Sequence, residues 1–332
     1  MFNVLASTPI DITLLKKNKT TINTQAGSLN LEFNGTLQDK IKRLSQMLNF
    51  AHDVLVTSVL KIMPRLTDKQ YTHLEPLIRE LENSPSLDAE QKKQTLLVLE
   101  QDYLNSQKSA HDVIRQLVGT IVDARNNLYD IRIIEEELLP PHHLTGDIAI
   151  ELENNTARQG LLNEELNVLT QAIKLIDDKN IADYLSDWIP SEETINAINL
   201  KAPAVELLKQ ALRLTKKYLS FASEHLNYVK LTEARDRIHL DLKHCQERET
   251  ELKALQKSHD TILASLTEAA ALVPLKEAYE TQVLAIIRQI ENYLDSVNFE
   301  GALSSERVNV FRQQMEQLRA YLSPLASIWQ TP

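Results

Sequence analysis

The most restrictive feature of this chain is a run of 70 residues, 204–273, that contains neither glycine nor proline. In a helix interior glycine costs about 1 kcal/mol and proline about 3 kcal/mol relative to alanine, so nothing in the run interrupts a helix. At about 1.5 Å per residue, such a helix would extend roughly 105 Å. A compact domain of 332 residues has a radius of gyration of only about 20 Å. The run therefore predicts an elongated helical chain.

The composition argues against several classes of function. The 6 glycines are too few and too scattered to form the phosphate-binding loops of nucleotide-binding α/β folds. A net charge of −10 argues against a nucleic-acid-binding protein. We therefore expect neither a nucleic acid nor a small-molecule substrate as partner. The same acidity gives little attraction to anionic membranes, so we expect any membrane binding to be hydrophobic.

The cysteine content and the hydropathy limit the compartment and the membrane topology. The only cysteine is Cys245, so no intrachain disulfide can form. The first residues lack the charged and apolar regions of a signal peptide. No stretch approaches the run of about 18 apolar residues that a transmembrane helix needs. We therefore predict no classical signal peptide and no constitutive transmembrane helix.

Apolar side chains recur every three or four residues along most of the chain, which is typical of amphipathic helices. This spacing, with the positions of glycine and proline, predicts about seven helices and almost no sheet. Pro274 is expected to begin or to kink the helix that follows it. The main helices are predicted from Thr36 to Pro64 and at 86–139, 147–176, 204–273, 274–297 and 305–322.

The first 35 residues are predicted to be irregular or partly extended. Leu29, Leu31 and Phe33 alternate with polar residues, which is typical of a short strand. Thr36 and Asp39 have the spacing of a capping box, so the first helix is predicted to begin at Thr36.

The lengths of the helices predict an all-α, elongated rod of three parts. Residues 1–85 and 274–332 form the tail, a bundle of short helices. Residues 86–139 and 204–273 form the neck, a coiled coil of two long antiparallel helices. Residues 140–203 form the head, a small helical lobe that faces a membrane or a partner. In a competing topology, residues 147–189 run all the way back and place Trp188 at the opposite end.

No group of residues predicts catalysis, a cofactor or a metal site. His239 and His244 are five residues apart, so they lie on different faces of a helix and do not form a zinc-binding pair. The consecutive glutamates at 135–137 fan around a helix and do not converge. Cys245 falls in an apolar seam, which favours a core residue over a nucleophile. We therefore predict that the protein is not an enzyme.

One segment of the head, YLSDWIP at 184–190, is locally unusual. It contains one of only two tryptophans in a chain that is 5% aromatic. Tryptophan and tyrosine favour the interfacial zone of membranes, although a small core of the head would explain the same residues. We predict that seven residues form the surface that contacts a membrane or partner: Tyr184, Leu185, Trp188, Ile189, Ile195, Ile198 and Leu200.

The order of these elements resembles that of a known family. Short helices precede the rod at 86–139, the aromatic head segment and the return rod at 204–273 follow, and a helix pair closes the chain. The opening sequence LNLEFNGTLQDKIKRL, residues 29–44, is also similar. On these features the chain resembles the B component of the α-xenorhabdolysin-type binary toxins, within the class of α-helical pore-forming toxins related to cytolysin A.

The resemblance implies one subunit of a two-component, haemolytic pore-forming cytotoxin. Such a subunit is secreted without a classical signal peptide and stays soluble until it assembles with an A-type toxin subunit. The resemblance further implies that the two subunits form a ring on the membrane of a target cell. It implies, finally, that apolar segments of the head rearrange to contact or enter the lipid bilayer.

Two other interpretations remain open at this point. A helical scaffold that tethers proteins through its coiled-coil faces would have the same long seams and acidic charge. An enzyme with a helical body would need a buried polar cluster, which the sequence does not reveal. Leakage of liposomes in the presence of a partner toxin would separate the toxin from the scaffold.

Overall fold

The computed structural model describes most of the chain. The described residues are 10–67, 74–85, 88–140, 148–179, 195–196, 200–219, 228–297 and 304–327. All regular elements within these ranges are helical, so the predicted all-α class is confirmed. The α-helices are α1 (Ile12–Ser28), α2 (Gly35–Ile62), α3 (Leu74–Asn83), α4 (Ala89–Tyr129), α5 (Ile148–Asp178), α6 (Ala202–Leu219), α7 (Tyr228–Ser296) and α8 (Ser305–Ala326).

The described chain divides into two compact units, each with its own core. Unit 1 comprises Met1–Leu139 and Ala264–Pro332, and unit 2 comprises Pro140–Leu263. The division into tail, neck and head is a different one, and it stays a prediction.

Helix α1 contradicts the predicted irregular N-terminus. Asp11 caps it by accepting a hydrogen bond from the backbone N–H of Leu14 at 2.8 Å. Leu15 and Ile22, two turns apart, are both fully buried, so the helix is held by one narrow apolar stripe. The sequence hid this helix because the residue between them on the same face is polar: Asn18 is 2% exposed.

The predicted strand at 29–33 is also wrong. Leu29 and Leu31 are buried as the alternation requires, but they lie in the turn between α1 and α2, where no second strand is present to pair with them. The next helix begins at Gly35 rather than Thr36. Its cap is Asn34, whose side-chain oxygen accepts a hydrogen bond from the N–H of Leu37 at 3.1 Å.

Helix α2 is one of the main contributors to the core of unit 1. It ends at Ile62, followed by a short 3-10 helix, Met63–Leu66, that contains Pro64, as the sequence predicted. Six apolar residues spaced three or four positions apart along this helix are all buried: Ile41, Leu44, Leu48, Ala51, Leu55 and Val59.

The long helices of unit 1 pack antiparallel. The side chain of Asn34 donates to the carbonyl of Glu137 at 3.1 Å, whereas Ser58 lies 3.4 Å from Thr120 at the other end of α2. Residue numbers therefore rise along α2 as they fall along α4. Helix α7 runs antiparallel to α4 by the same reasoning, because Nε2 of His111 lies 2.8 Å from the carbonyl oxygen of Leu294 and Lys276 contacts Tyr129.

Helix α4 ends at Tyr129, ten residues before the predicted end at 139. The cause is a side chain far away in the sequence. The ammonium group of Lys276 donates to the carbonyl oxygens of Tyr129 at 3.1 Å and Ile131 at 2.7 Å. These are carbonyls that further helical turns would have used. Beyond this point Lys40 holds the chain against α2, through the Arg132 carbonyl at 3.1 Å and the carboxylate of Glu137 at 2.6 Å.

The run at 204–273 is not one helix within the described residues. It contains α6 and most of α7, and positions 220–227 lie outside the described residues. Helix α7 then continues for 69 residues through Pro274, so Pro274 does not begin a new helix. Proline in a helix interior costs about 3 kcal/mol. Burial of Leu272 and Tyr279, both 0% exposed, on either side of it favours the continuous helix.

One short stretch of α7 buries none of its side chains. Residues 253–258 are six consecutive exposed residues, which is more than one and a half turns. Leu252 before it and Ile262 after it are buried. Water therefore reaches every face of the helix over these six residues.

Two buried polar groups meet between α2 and α7. Nδ1 of His52 lies 3.2 Å from the hydroxyl of Tyr279. Burial, and secondarily the positive charge of Lys19, lower the pKa of His52 to about 4. The imidazole is therefore neutral in the folded protein near neutral pH.

This pKa makes the stability of unit 1 sensitive to acid. The unfolded chain binds a proton at a pKa of about 6.5 and the folded chain only at about 4, so the contribution of His52 to stability falls as the pH drops between these values. By pH 5 we expect a loss of about 2 kcal/mol. Urea unfolding at pH 7 and at pH 5 measures this loss of stability. His52→Asn should abolish this part of the pH dependence, and substitution of the exposed His239 by Asn should retain it.

Lys276 itself forms a buried ion pair. Its ammonium group lies 3.5 Å from the carboxylate of Glu280, and both side chains are nearly inaccessible to water. Burial raises the pKa of Glu280, and the positive charges of Lys276 and Arg125 partly offset that rise. The carboxylate therefore depends on its neighbours to remain charged.

We expect Lys276→Met to lower the free energy of unfolding by about 3 to 5 kcal/mol, because it leaves a buried carboxylate without its cation. It also removes the donor to the end of α4. The double variant Lys276→Met/Glu280→Leu should be more stable than the single variant in urea titrations. A double variant no more stable than the single one would contradict the role given to the ion pair.

Candidate functional site

The structure describes two of the seven residues predicted to face a membrane or partner. Ile195 is 4% exposed and belongs to the apolar core of unit 2, and Leu200 is partly buried against the same core. Tyr184, Leu185, Trp188, Ile189 and Ile198 lie outside the described residues. The predicted contact surface stays a prediction, and in this conformation Ile195 is covered.

The core of unit 2 brings together three helices. Helices α5, α6 and the first part of α7 contribute buried aliphatic side chains from three directions. Cys245 is one of them at 5% exposure, so its interpretation as a core residue is confirmed. The main contributors are Leu162, Leu169, Ile173, Ile176, Leu208, Ala211, Leu212, Ala234, Ile238 and Leu242.

Polar side chains of α5 tie it to α7 at the edge of this core. The side-chain amides of Asn155 and Gln159 both donate to the carbonyl of Cys245, at 2.8 and 3.4 Å. Gln159 also donates to the carboxylate of Glu249 at 2.8 Å. The two helices run antiparallel, because Glu151 contacts Arg248 at 2.7 Å and Asp177 contacts Tyr228 at 3.3 Å.

A single carboxylate fastens the end of α6 to α5. Glu165 accepts hydrogen bonds from the ammonium group of Lys217, at 2.5 Å, and from the hydroxyl of Tyr218. Burial, with the hydrogen bond and the negative charge of Glu165, raises the pKa of Tyr218. Tyr218 therefore stays protonated and can donate to Glu165 throughout the ordinary pH range.

Helix α6 separates its polar and apolar side chains sharply. Leu208, Ala211 and Leu212 are at most 7% exposed and face the core of unit 2. The opposite face carries four basic residues, and the helix contains only one acidic residue, Glu206. At 100° per residue, the basic positions fall within an arc of about 100°: Lys209, Arg213, Lys216 and Lys217.

The sequence reasoning missed this basic stripe. The signal was available, because positive residues at 209, 213 and 216 follow the helical spacing i, i+4, i+7. The net charge of the whole chain concealed it. Among the described residues, no helix is long and apolar enough to cross a membrane.

Solved structures share this arrangement of helices along the full length of the chain. PaxB from Photorhabdus luminescens matches with a TM-score of 0.80 over 98% of this chain and 99% of its own, at 15% sequence identity. The chain has the fold of PaxB. The fold predicted from the family resemblance is thus confirmed.

Two further structures have the PaxB fold. The crystal structure of XaxB from Xenorhabdus nematophila matches with a TM-score of 0.75 over 97% of this chain and 99% of its own, at 18% identity. A chain of the XaxAB pore complex from the same organism matches with a TM-score of 0.65, over 97% and 98% respectively, at 18% identity. No protein-family model matches the sequence, and no curated protein does.

The contact at Glu165 gives a direct test of how α6 is held. Tyr218→Phe removes a donor to a carboxylate, and we expect unit 2 to lose about 1 to 2 kcal/mol of stability. Tyr228→Phe is the matched control, because its hydroxyl reaches Asp177 only at 3.3 Å in an exposed position. That variant should lose about 0.5 kcal/mol or less. Equal losses in thermal or urea unfolding would contradict the assignment.

Proposed function

We propose that this chain is one subunit of a two-component α-helical pore-forming toxin. The observation that carries the proposal is the match to PaxB over 98% of this chain and 99% of that one. A chain of the XaxAB pore complex shares the fold, which supports assembly of this chain with an A-type subunit on a membrane.

The three-part organisation is part of the same proposal. The tail (1–85 and 274–332) and the neck (86–139 and 204–273) hold the head, 140–203, which contacts the bilayer. The segment at 184–190, together with Ile195, Ile198 and Leu200, provides the apolar surface. Ile195 is covered in this conformation, so the head has to rearrange before this residue meets lipid.

Such a rearrangement is physically feasible because the buried side chains of unit 2 can move from the protein core into the hydrocarbon of a bilayer, which is also apolar. Among the described residues of unit 2, the buried aliphatic side chains come mainly from the three helices α5, α6 and α7. In a bilayer these side chains lose little, because the hydrocarbon interior is as apolar as the core. Release of the protein through a route without a classical signal peptide completes the proposal.

Dye release from liposomes tests the function. The purified chain is added alone, then with the product of the neighbouring gene, and the same pair is tested on erythrocytes. We expect release only when both proteins are present. Absence of release with either or both, while the far-ultraviolet circular dichroism shows a folded helical sample, would favour a scaffold that binds other proteins.

The two tryptophans provide a matched pair for the predicted contact surface. Trp188 lies in the head and Trp329 in the tail. We expect Trp188→Ala to reduce the rate of dye release about tenfold or more, because the variant loses the favourable insertion of an aromatic side chain into the membrane interface. Trp329→Ala should retain release. Unchanged release with Trp188→Ala would contradict the role of the segment at 184–190.

A further inference from the structure

Helix α6 combines features that together define a membrane-surface element. Its 18 residues carry four basic side chains and one acidic side chain, within a chain whose net charge is −10. The neighbouring α5 has the opposite balance of charge, with six acidic and two basic residues. Helix α6 therefore has an excess of positive charge, whereas α5 has an excess of negative charge.

The geometry of α6 fits a bilayer better than it fits a protein groove. Lys209 is partly exposed, and Arg213 and Lys216 are exposed, so the stripe projects outward from a single convex helix. Behind it lies a continuous apolar face. A helix with a basic polar face and an aliphatic opposite face is the type that lies in the plane of a membrane interface.

We infer that α6 is an anionic-lipid-binding element, which recognises phosphatidylserine-type headgroups through Lys209, Arg213 and Lys216. This inference rests on the proposed function and names the lipid class that the head contacts first. It differs from the expectation, drawn from the net charge, that any membrane binding is hydrophobic. The net negative charge of the whole chain does not prevent adsorption, because electrostatic interactions are screened beyond about 10 Å at ordinary salt. The sign of the charge on the surface that meets the lipid therefore determines whether it is attracted.

The contacts of α6 indicate two stages. In the folded unit the outward face of α6 carries the basic stripe together with Glu206 and Gln210, so adsorption through the stripe requires no opening of the core. Lys217, one of the two donors that fasten the helix end to Glu165, is 59% exposed, although Glu165 itself is only 20% exposed. An ion pair with an exposed partner contributes about 1 kcal/mol or less, and the hydrogen bond from Tyr218 to Glu165 is the other part of the contact. Phosphate groups at a membrane surface compete for the same ammonium group, which favours release of the apolar face toward lipid.

Co-sedimentation with vesicles tests the inference on the full-length chain. Vesicles of phosphatidylcholine alone are compared with vesicles that also contain about 30 mol% phosphatidylserine. We expect at least about tenfold stronger partitioning to the anionic vesicles in about 0.1 M salt, and loss of that preference in about 0.5 M salt, where charges are screened.

Two triple variants with the same change in net charge locate the effect. Lys209→Gln/Arg213→Gln/Lys216→Gln should weaken partitioning to anionic vesicles about 100-fold, since each basic residue near such a surface contributes about fivefold. Lys42→Gln/Lys61→Gln/Lys93→Gln removes three exposed charges on α2 and α4 of unit 1 and should change it less than about threefold. Thermal unfolding checks that both variants are folded.

Three results would overturn the inference: equal partitioning of the unmodified chain to both kinds of vesicle, no partitioning to either, or equal losses in the two triple variants. The proposed function is judged separately by dye release with the partner protein. Release that is equally fast from both kinds of vesicle keeps the pore-forming function and overturns the lipid preference. Salt-sensitive partitioning without release supports the lipid site and contradicts the pore-forming function.

Discussion

The structure depends on one helix, α7, which supplies part of the core in both units. Ile238, Leu242 and Cys245 belong to the core of unit 2, and Tyr279 and Ile286 are buried in unit 1. To reach both cores, α7 extends for 69 residues without a glycine, and it contains one proline, which is unfavourable in a helix interior. Each unit packs on a different part of the same helix, so stability in both units is coupled to the integrity of one backbone element.

Much of the architecture could be predicted from local pattern alone. The all-α class, the bounds of α5 and the buried positions of α2 follow from the spacing of apolar residues. The misplaced boundaries have non-local or polar causes. Helix α4 ends at Tyr129 because of Lys276, 147 residues away, and helix α1 was missed because Asn18 occupies a buried position on its inner face. A window of neighbouring residues contains neither piece of information.

The candidate site also has one feature that stands out locally in the sequence and one that the net charge of the chain conceals. The aromatic segment at 184–190 is recognisable in the sequence because tryptophan is rare in this chain. The basic stripe of α6 is less conspicuous, since lysine is common and its effect disappears in a net charge of −10. The helical spacing of residues 209, 213 and 216 was visible in the sequence, and the structure adds that Leu208 and Leu212 are buried on the other face of the same helix.

The exposed stretch of α7 at 253–258 has a mechanical consequence. Helices in proteins are stabilised mainly by packing, and over these six residues α7 buries no side chain. The last residue of the stretch, Ser258, and the three residues that follow it, His259, Asp260 and Thr261, are all weak helix formers. Bending and transient breakage of backbone hydrogen bonds therefore concentrate there. Although α7 is geometrically one helix, its elasticity is that of two stiff segments joined by a compliant turn.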